Sequence, residues 1–432
     1  MTHEIHKTPT CRQARCPHCS TPFEITPEDK NFYKRMGVPS PTFCPPCRER
    51  RRMAWRNERN LYPRTCDLCK KSIIAVLPQK TPYKVYCNSC WWSDAWSPLD
   101  YAQDPDFNKP FFEQFAKLEK AIPHLALHQD GTSENCEYTN YGISSKNCYM
   151  TIPVFCEDVY YGSANMKCKS CIDCMKCVGS ELCYECIDCA TSYNLDFSKD
   201  CTNCRDSFFL EDCTSCTNCF CCAGLRHKNY CFENEQLTEK EYKTRIGSMK
   251  FTPASIAQYR EKLTLLAQAQ PKIYIHGQNN ENVTGDYLDN CKNVKQCFDC
   301  PALEDSAYSS FSGGGAKDVY DCLNFGMNSE LCYEINGATQ YHNCIAVYYG
   351  RSNHDLKYCH YCFNCDHCFG CVVLKHKRFC IFNRQYEQSE YEELEARLIA
   401  HMRTTKEYGE FFPAELSPYP YKETIAQDYY PR

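Results

Sequence analysis

Small and apolar positions recur along this chain at fixed intervals. From Cys156 to Cys231 a cysteine returns every fifteen residues, at Cys156, Cys171, Cys186, Cys201, Cys216 and Cys231. Beside it run Cys174, Cys189, Cys204 and Cys219, with an acid or its amide in the repeat at Asp158, Asp173, Asp188, Asn203 and Asn218. Two further columns take only small side chains: Cys168, Cys183, Ser198 and Cys213, and Gly162, Cys177, Ser192, Ser207 and Cys222. Leu195, Leu210 and Leu225 form an apolar column, which gives the repeat an inside. A short fixed period predicts stacked coils, here a parallel β-solenoid with 15-residue coils. Equivalent side chains would then lie over one another about 4.8 Å apart, with Asp and Asn closing each corner against the backbone.

The pattern occurs twice. SELCYE at 180–185 returns at 329–334, and Cys213, Cys216, Cys219, Cys222 and Cys231 match Cys362, Cys365, Cys368, Cys371 and Cys380, all at an offset of 149 residues. LRHKNYCFENEQ becomes LKHKRFCIFNRQ, carrying His227 and His376 at equivalent positions of a loop. The copy is incomplete, because Cys186, Cys189, Cys201 and Cys204 become Ile335, Ala338, Gly350 and Asn353. Helical spacing replaces the repeat elsewhere. Phe112, Phe115, Leu118, Ile122 and Leu125 predict an amphipathic helix. Thr238 with Glu241, and Ser389 with Glu392, predict capped helix starts, and Thr252-Pro253 starts another. Such helices would cap the open end of each stack.

These signals predict a mainly β chain: two N-terminal zinc ribbons followed by two duplicated solenoid lobes with helical caps. The divisions are 1–64, a ribbon with an arginine-rich helix; 65–98, a second ribbon; 99–130, a helical linker; 131–235, the first lobe; 236–275, its cap; 276–385, the second lobe; and 386–432, a cap with a Pro/Tyr-rich tail expected to strap back onto a lobe.

Composition adds a constraint. The 432 residues are long enough to bury cores unaided, yet 39 are cysteine, close to the density of a small disulfide scaffold. The N-terminus lacks the apolar core of a signal peptide and no apolar run reaches membrane-spanning length, so a soluble cytoplasmic protein is expected. There, dense cysteine reads as metal ligands or buried thiols before disulfides. The net charge of −5 hides +7 over residues 1–64 and −12 over the remainder. Arg48, Arg50, Arg51, Arg52, Arg56, Arg59 and Arg64 follow CPPC directly, with Trp55 among them. Of these, Arg48, Arg50, Arg51, Arg52, Trp55, Arg56 and Arg59 form a candidate nucleic-acid contact, arginines on phosphates and indole on bases. The alternative is a helix paired with Glu49 and Glu58.

Paired CxxC knuckles carry the clearest chemistry. Cys16-Pro-His-Cys19 with Cys44-Pro-Pro-Cys47, and Cys66-Asp-Leu-Cys69 with Cys87-Asn-Ser-Cys90, each offer four thiolates, enough to close a tetrahedral zinc site with no position for substrate. Two structural zinc ions are expected, with Cys11 and His18 as spare donors. The stretch from CPHCSTPFEITPEDKNFYKRMG through CPPCRERRRMAW, then YCNSCWWSDAW, FFEQFAKLEKAIP and the tail GEFFPAELSPYPYKETIAQDYYP, resembles uncharacterised cysteine-rich bacterial proteins with an N-terminal zinc-ribbon domain and cysteine-rich repeats. That resemblance implies zinc at the knuckles and no assigned activity.

The lobe cysteines admit two readings, small buried thiols or a metal ladder, with disulfides a third. A ladder would use Cys171, Cys174, Cys186 and Cys189 as one set and Cys201, Cys204, Cys216 and Cys219 as another, adding metal in the first lobe. C-x2-C-x2-C-x2-C occurs at Cys168 to Cys177, Cys213 to Cys222 and Cys362 to Cys371, but lacks the x3-C-P ending of the bacterial ferredoxin run. Ser312-Gly313-Gly314-Gly315 lacks the Lys and hydroxyl of a phosphate loop and reads as a turn. HExxH, GxSxG and a carboxylate pair are missing. The expected function is a non-enzymatic zinc-binding scaffold with a protein or RNA partner, contacted through the basic N-terminal region. Alternatives are metal storage or thiol buffering by the lobe cysteines, and iron–sulfur electron transfer.

Overall fold

The computed structural model describes residues 12–129, 131–325 and 328–432; Cys11 lies outside them. The protein is mainly β, with eight α-helices among the described residues: α1 (Pro27–Arg35), α2 (Pro45–Met53), α3 (Asn88–Trp92), α4 (Phe111–Ala121), α5 (Glu239–Gly247), α6 (Pro253–Gln268), α7 (Gln388–Thr404) and α8 (Ile425–Tyr429). None is long and apolar enough to cross a membrane. Contacts group the chain into two compact units, residues 12–57, 80–124 and 274–432, and residues 58–79 and 125–273.

In the second of these units an eight-stranded sheet runs in chain order from Glu157–Tyr160 to Cys231–Phe232, parallel until the closing antiparallel strand Glu235–Gln236. The register departs from the expected fifteen. Lys169 pairs with Glu181, Glu181 with Tyr193, and Tyr193 with Arg205, so each layer returns after twelve residues. The reason lies in the backbone. Ser170, Asp173, Lys176, Gly179, Leu182, Glu185 and Asp188 all have φ between 48° and 59°, and each immediately precedes a buried residue: Cys171, Cys174, Cys177, Ser180, Cys183, Cys186 or Cys189. The structural unit is therefore a tripeptide: one small inward residue, one outward residue, one left-handed residue. Four tripeptides complete a layer, whereas five complete the sequence repeat. A cysteine fifteen residues on is consequently displaced by one side, and Leu195 lies against Ser207 rather than Leu210. Asp and Asn recur because they enter the left-handed region at lower cost than other L-residues.

The other unit stacks in the same way. Its ten-stranded sheet runs from Gly277–Gln278 to Arg384–Gln385, again closing on an antiparallel strand. Pairs such as His354 with Asp366 and Asp366 with Arg378 keep the twelve-residue step. Leu303 pairs with Ala316 thirteen residues on, and the extra residue falls in the Ser312–Gly315 bend, where Gly314 and Gly315 have φ of 74° and 87°.

Helices cover the sheets. α6 packs on the Arg205–Glu211 and Phe220–Ala223 strands, burying Phe209, Phe220 and Leu263, and Arg260 on α6 pairs with Glu185. The capping box of Thr238 and Glu241 forms at α5, and Thr252 caps α6. Ser389 does not cap α7: that helix starts at Gln388 with Glu387 at its N-cap and no side-chain bond there. In the second lobe the arginine helix α2 takes the covering place, packing on the Ala316–Phe325 and Glu330–Lys357 strands. The segment expected as a linker is also a cover: α4 buries Phe111, Phe115 and Leu118, with Phe111 stacked on Phe382. The tail returns over α2, where Ile425 donates its amide to Arg56 O at 3.0 Å and Phe412 packs on Trp55.

Candidate metal centre

Near the N-terminus Cys16, Cys19, Cys44 and Cys47 form a group of four that could hold a metal ion, and the pairs Cys66 with Cys69 and Cys87 with Cys90 are each built on the same local backbone as its halves. The same local backbone builds both first halves. Strands Arg12–Arg15 and Pro22–Ile25 form a hairpin whose turn closes with Ser20 N donating to Cys16 O at 2.9 Å and Cys16 N to Thr21 O at 3.0 Å. Strands Tyr62–Thr65 and Ser72–Ala75 repeat it, with Lys70 N donating to Cys66 O at 3.0 Å and Cys66 N to Lys71 O at 2.9 Å. Ser20 and Lys70 take left-handed φ of 61° and 64° to close the turns. The second halves match as well. Cys44 is the N-cap of α2 and Cys47 sits in its first turn, while Cys87 is the N-cap of α3, with Cys90 within it.

In the first group the four sulfurs lie within 4.8 Å of one another, and Cys19 and Cys44 are 3.6 Å apart. Two thiolates on one tetrahedral zinc stand about 3.8 Å apart, so this spacing fits a single ion. Hydrogen bonds from the Thr21 hydroxyl and amide bring the Cys19 thiol down to about 6. Burial works against ionisation at Cys16, but the amides of Cys44, Cys19 and His18 outweigh it and leave that thiol lowered. Burial raises Cys44 and Cys47. His18 is exposed and lies beside Arg50, 2.9 Å from its guanidinium, outside the sulfur group.

The helix beyond Cys47 carries most of the residues expected at a nucleic acid, and the structure shows where their side chains lie. Arg48 and Arg52 are each 1% exposed. Arg48 Nε donates to Asp321 Oδ1 at 2.9 Å, and Arg52 Nη1 to Glu334 Oε2 at 2.8 Å. Arg51 bridges Glu334 and Glu410, at 2.7 Å each. Trp55 is fully buried between Tyr348, His360 and Phe412, and Arg56 is buried too. Side chains enclosed in this way present no face to a phosphate. Of the seven residues, Arg59 is exposed and Arg50 and Arg51 are partly buried. Glu49 accepts from Ser310 Oγ and Tyr430 OH at 2.6 Å. Sequence alone missed the acids: Asp321 and Glu334 occupy left-handed positions of the second lobe, the latter inside the duplicated SELCYE. Their signal was an acid immediately before an inward residue. Burial raises Glu334, but Arg51, Arg52 and Arg48 outweigh it and hold it below the usual carboxylate range. Asp321 is pushed up by burial, which Arg48 and Arg52 only partly offset.

The lobe cysteines are placed differently from a ladder. All 38 described cysteines are free thiols, and among the described residues no lobe sulfurs join a close ligand group. With the twelve-residue step Cys171 lies one layer from Cys183 and Cys174 one layer from Cys186, so Cys171, Cys174, Cys186 and Cys189 spread over three sides, as do Cys201, Cys204, Cys216 and Cys219. Each C-x2-C-x2-C-x2-C run is one tripeptide per side of a single layer. These thiols bond to the backbone: Cys171 Sγ reaches Lys169 O at 3.3 Å and Ser180 O at 3.5 Å. Ser180 Oγ makes the same two bonds, to Val178 O and Cys189 O. The inward position selects a small side chain with one weak donor, and Cys and Ser both satisfy it.

His227 and His376 take left-handed φ of 54° and 51° and donate their amides to Thr214 O and Phe363 O at 2.9 Å, the role of any third residue of a tripeptide. No family model and no curated protein matches the chain, so the resemblance to zinc-ribbon proteins rests on the motifs quoted above.

Proposed function

We propose that the chain is a non-enzymatic, zinc-dependent scaffold of two tripeptide solenoids that binds a protein partner, acting in a reducing, cytoplasmic setting suited to its free thiols. The observation that carries this reading is the continuity from Cys44 and Cys47 into α2, whose Arg48, Arg51 and Arg52 are bound to carboxylates of the second lobe. Metal at that end would fix the helix that covers the lobe, a structural task, and four thiolates leave no open coordination position for chemistry. Zinc is the ion these soft ligands favour. A nucleic-acid partner, the other half of the expectation, would have to be met by Arg50 and Arg59 with little help from the rest of the helix.

Elemental analysis of anaerobically purified protein tests the reading. Two zinc ions per chain are expected. Six or more metals would favour storage by the lobe thiols, and bound iron with a reducible chromophore would favour electron transfer; either result overturns the scaffold. Salt-dependent RNA binding by the zinc-loaded chain, lost in Arg50→Glu with Arg59→Glu, would replace the protein partner with a nucleic acid.

A further inference from the structure

Five of the chain's 13 histidines fall between His342 and His376. Two of them meet acids on the surface of the second lobe. His354 pairs across the sheet with Asp366, and Asp355 and His367 follow each by one residue. Carboxylate oxygens of Asp355 and Asp366 and a ring nitrogen of His367 lie within 4.8 Å of one another. His367 Nδ1 is 2.7 Å from Asp366 Oδ1, and its Nε2 is 3.9 Å from Asp355 Oδ2. Phe379 and Tyr391 pack against the ring, at centroid distances of 5.4 and 6.3 Å, which fixes its orientation. A third imidazole, His342, stands 5.8 Å from His354.

The duplication separates packing from the remainder. At the 149-residue offset the first copy has Asn194, Arg205, Asp206, Thr217 and Asn218 where the second has Asn343, His354, Asp355, Asp366 and His367. Asn194 Nδ2 donates to Asp206 Oδ1 at 2.8 Å, and Asn343 Nδ2 likewise donates to Asp355 Oδ1. That bond accounts for one aspartate in both copies. Neither the imidazoles nor Asp366 is needed for stacking, since the first copy stacks with Arg, Thr and Asn in their places.

We propose that Asp355 and His367 are ligands of a third metal site, open to solvent, for a divalent transition-metal ion of the zinc, cobalt or nickel class. Imidazole with carboxylate suits these ions. Asp366 bound at Nδ1 leaves Nε2 to the metal, the arrangement by which outer carboxylates orient ligating histidines. Bonds of about 2.0–2.2 Å to nitrogen and oxygen can bridge the 3.9 Å gap. Asp366 and His367 side chains are 48% and 41% exposed, so water completes the shell and the ion exchanges freely, unlike one enclosed by four thiolates.

The test is calorimetric titration of the full-length, zinc-loaded protein with Ni2+, with absorbance followed in parallel. One further nickel per chain is expected, without a nickel–thiolate charge-transfer band. Binding should weaken about tenfold or more in His367→Asn, which installs the first-copy residue and so suits the stack, and stay unchanged in Asp206→Asn. Ring-proton signals of His354 and His367 should broaden before that of His18. No binding at millimolar nickel, equal binding by His367→Asn, or a growing thiolate band overturns the proposal.

Discussion

Glu334 and Asp321 are enclosed acids whose worth depends on the arginines opposite them. Removing one partner of a buried pair leaves an uncompensated charge and costs about 3–5 kcal/mol. Glu334→Gln leaves Arg51 and Arg52 short of a charge, so a loss of that order is expected as a drop in the urea midpoint; a change below about 1 kcal/mol would mean the network does not hold α2. Asp196 behaves oppositely. Burial raises its carboxyl from 3.8 to about 6, so the folded state holds a proton that the unfolded chain releases between those values. Its contribution is complete below about pH 4 and lost as pH rises through 6. Asp196→Asn should therefore stabilise the protein at pH 7, by under about 1 kcal/mol given its partial exposure, with the gain vanishing at pH 4. A flat difference between pH 4 and 7 would refute this. Inward glycine and asparagine also act together. Gly350 allows Tyr341 OH and Cys362 O so near that a Cβ would lie 2.4 and 2.2 Å from them, and Asn353 Nδ2 bonds Cys362 O at 2.7 Å. Gly162 and Asn165 repeat the device in the first lobe. The spacing G-x-x-N was present in the sequence, but it carries no meaning until the tripeptide is known.

At the scale of the strand, the sequence made the inward positions plain and hid how they are wound. Every cysteine column named from the fifteen-residue period is buried, because small size at each third residue is what the backbone demands. The period itself misled about register: fifteen and twelve are both whole numbers of tripeptides, and periodicity cannot tell the repeat of residues from the pitch of the chain. Substitution separates the remaining roles of the thiols. Cys189→Ser should cost no more than about 1 kcal/mol, since Ser180 and Ser192 already make equivalent bonds, whereas Cys189→Leu overpacks a filled interior and should cost about 1–3 kcal/mol. Equal losses would show that the thiol itself is required. In the native, chelated protein Cys19 and Cys69, the exposed thiols among the N-terminal CxxC pairs, should react first with a thiol reagent, and the lobe thiols only on unfolding. Rapid labelling of the lobes would instead revive thiol buffering.

At the scale of the whole molecule, the first four-cysteine group and the turns around its CxxC pairs were legible because that spacing sets two thiols on one tight turn. The partner of the arginine helix was not, since it lies some 270 residues away in sequence, as Arg48 and Asp321 do. If Cys44 and Cys47 hold metal, that contact couples it to the fold. Cys47→Ser should loosen α2 and raise amide exchange in the strands Ala316–Phe325 and Glu330–Lys357, while Tyr193–Asp196 and Arg205–Glu211 stay protected. Uniform exchange across both lobes would contradict the coupling. A chain built from tripeptides also has a natural unit of inheritance. Gain or loss of one whole triplet rotates everything downstream by a side yet keeps small residues inside and left-handed residues at the corners, whereas any other indel needs a glycine bend such as Ser312–Gly315 to absorb it. Lineages of such a protein should differ in length chiefly by whole triplets, and its two lobes can drift in length while the covers at their ends remain recognisable.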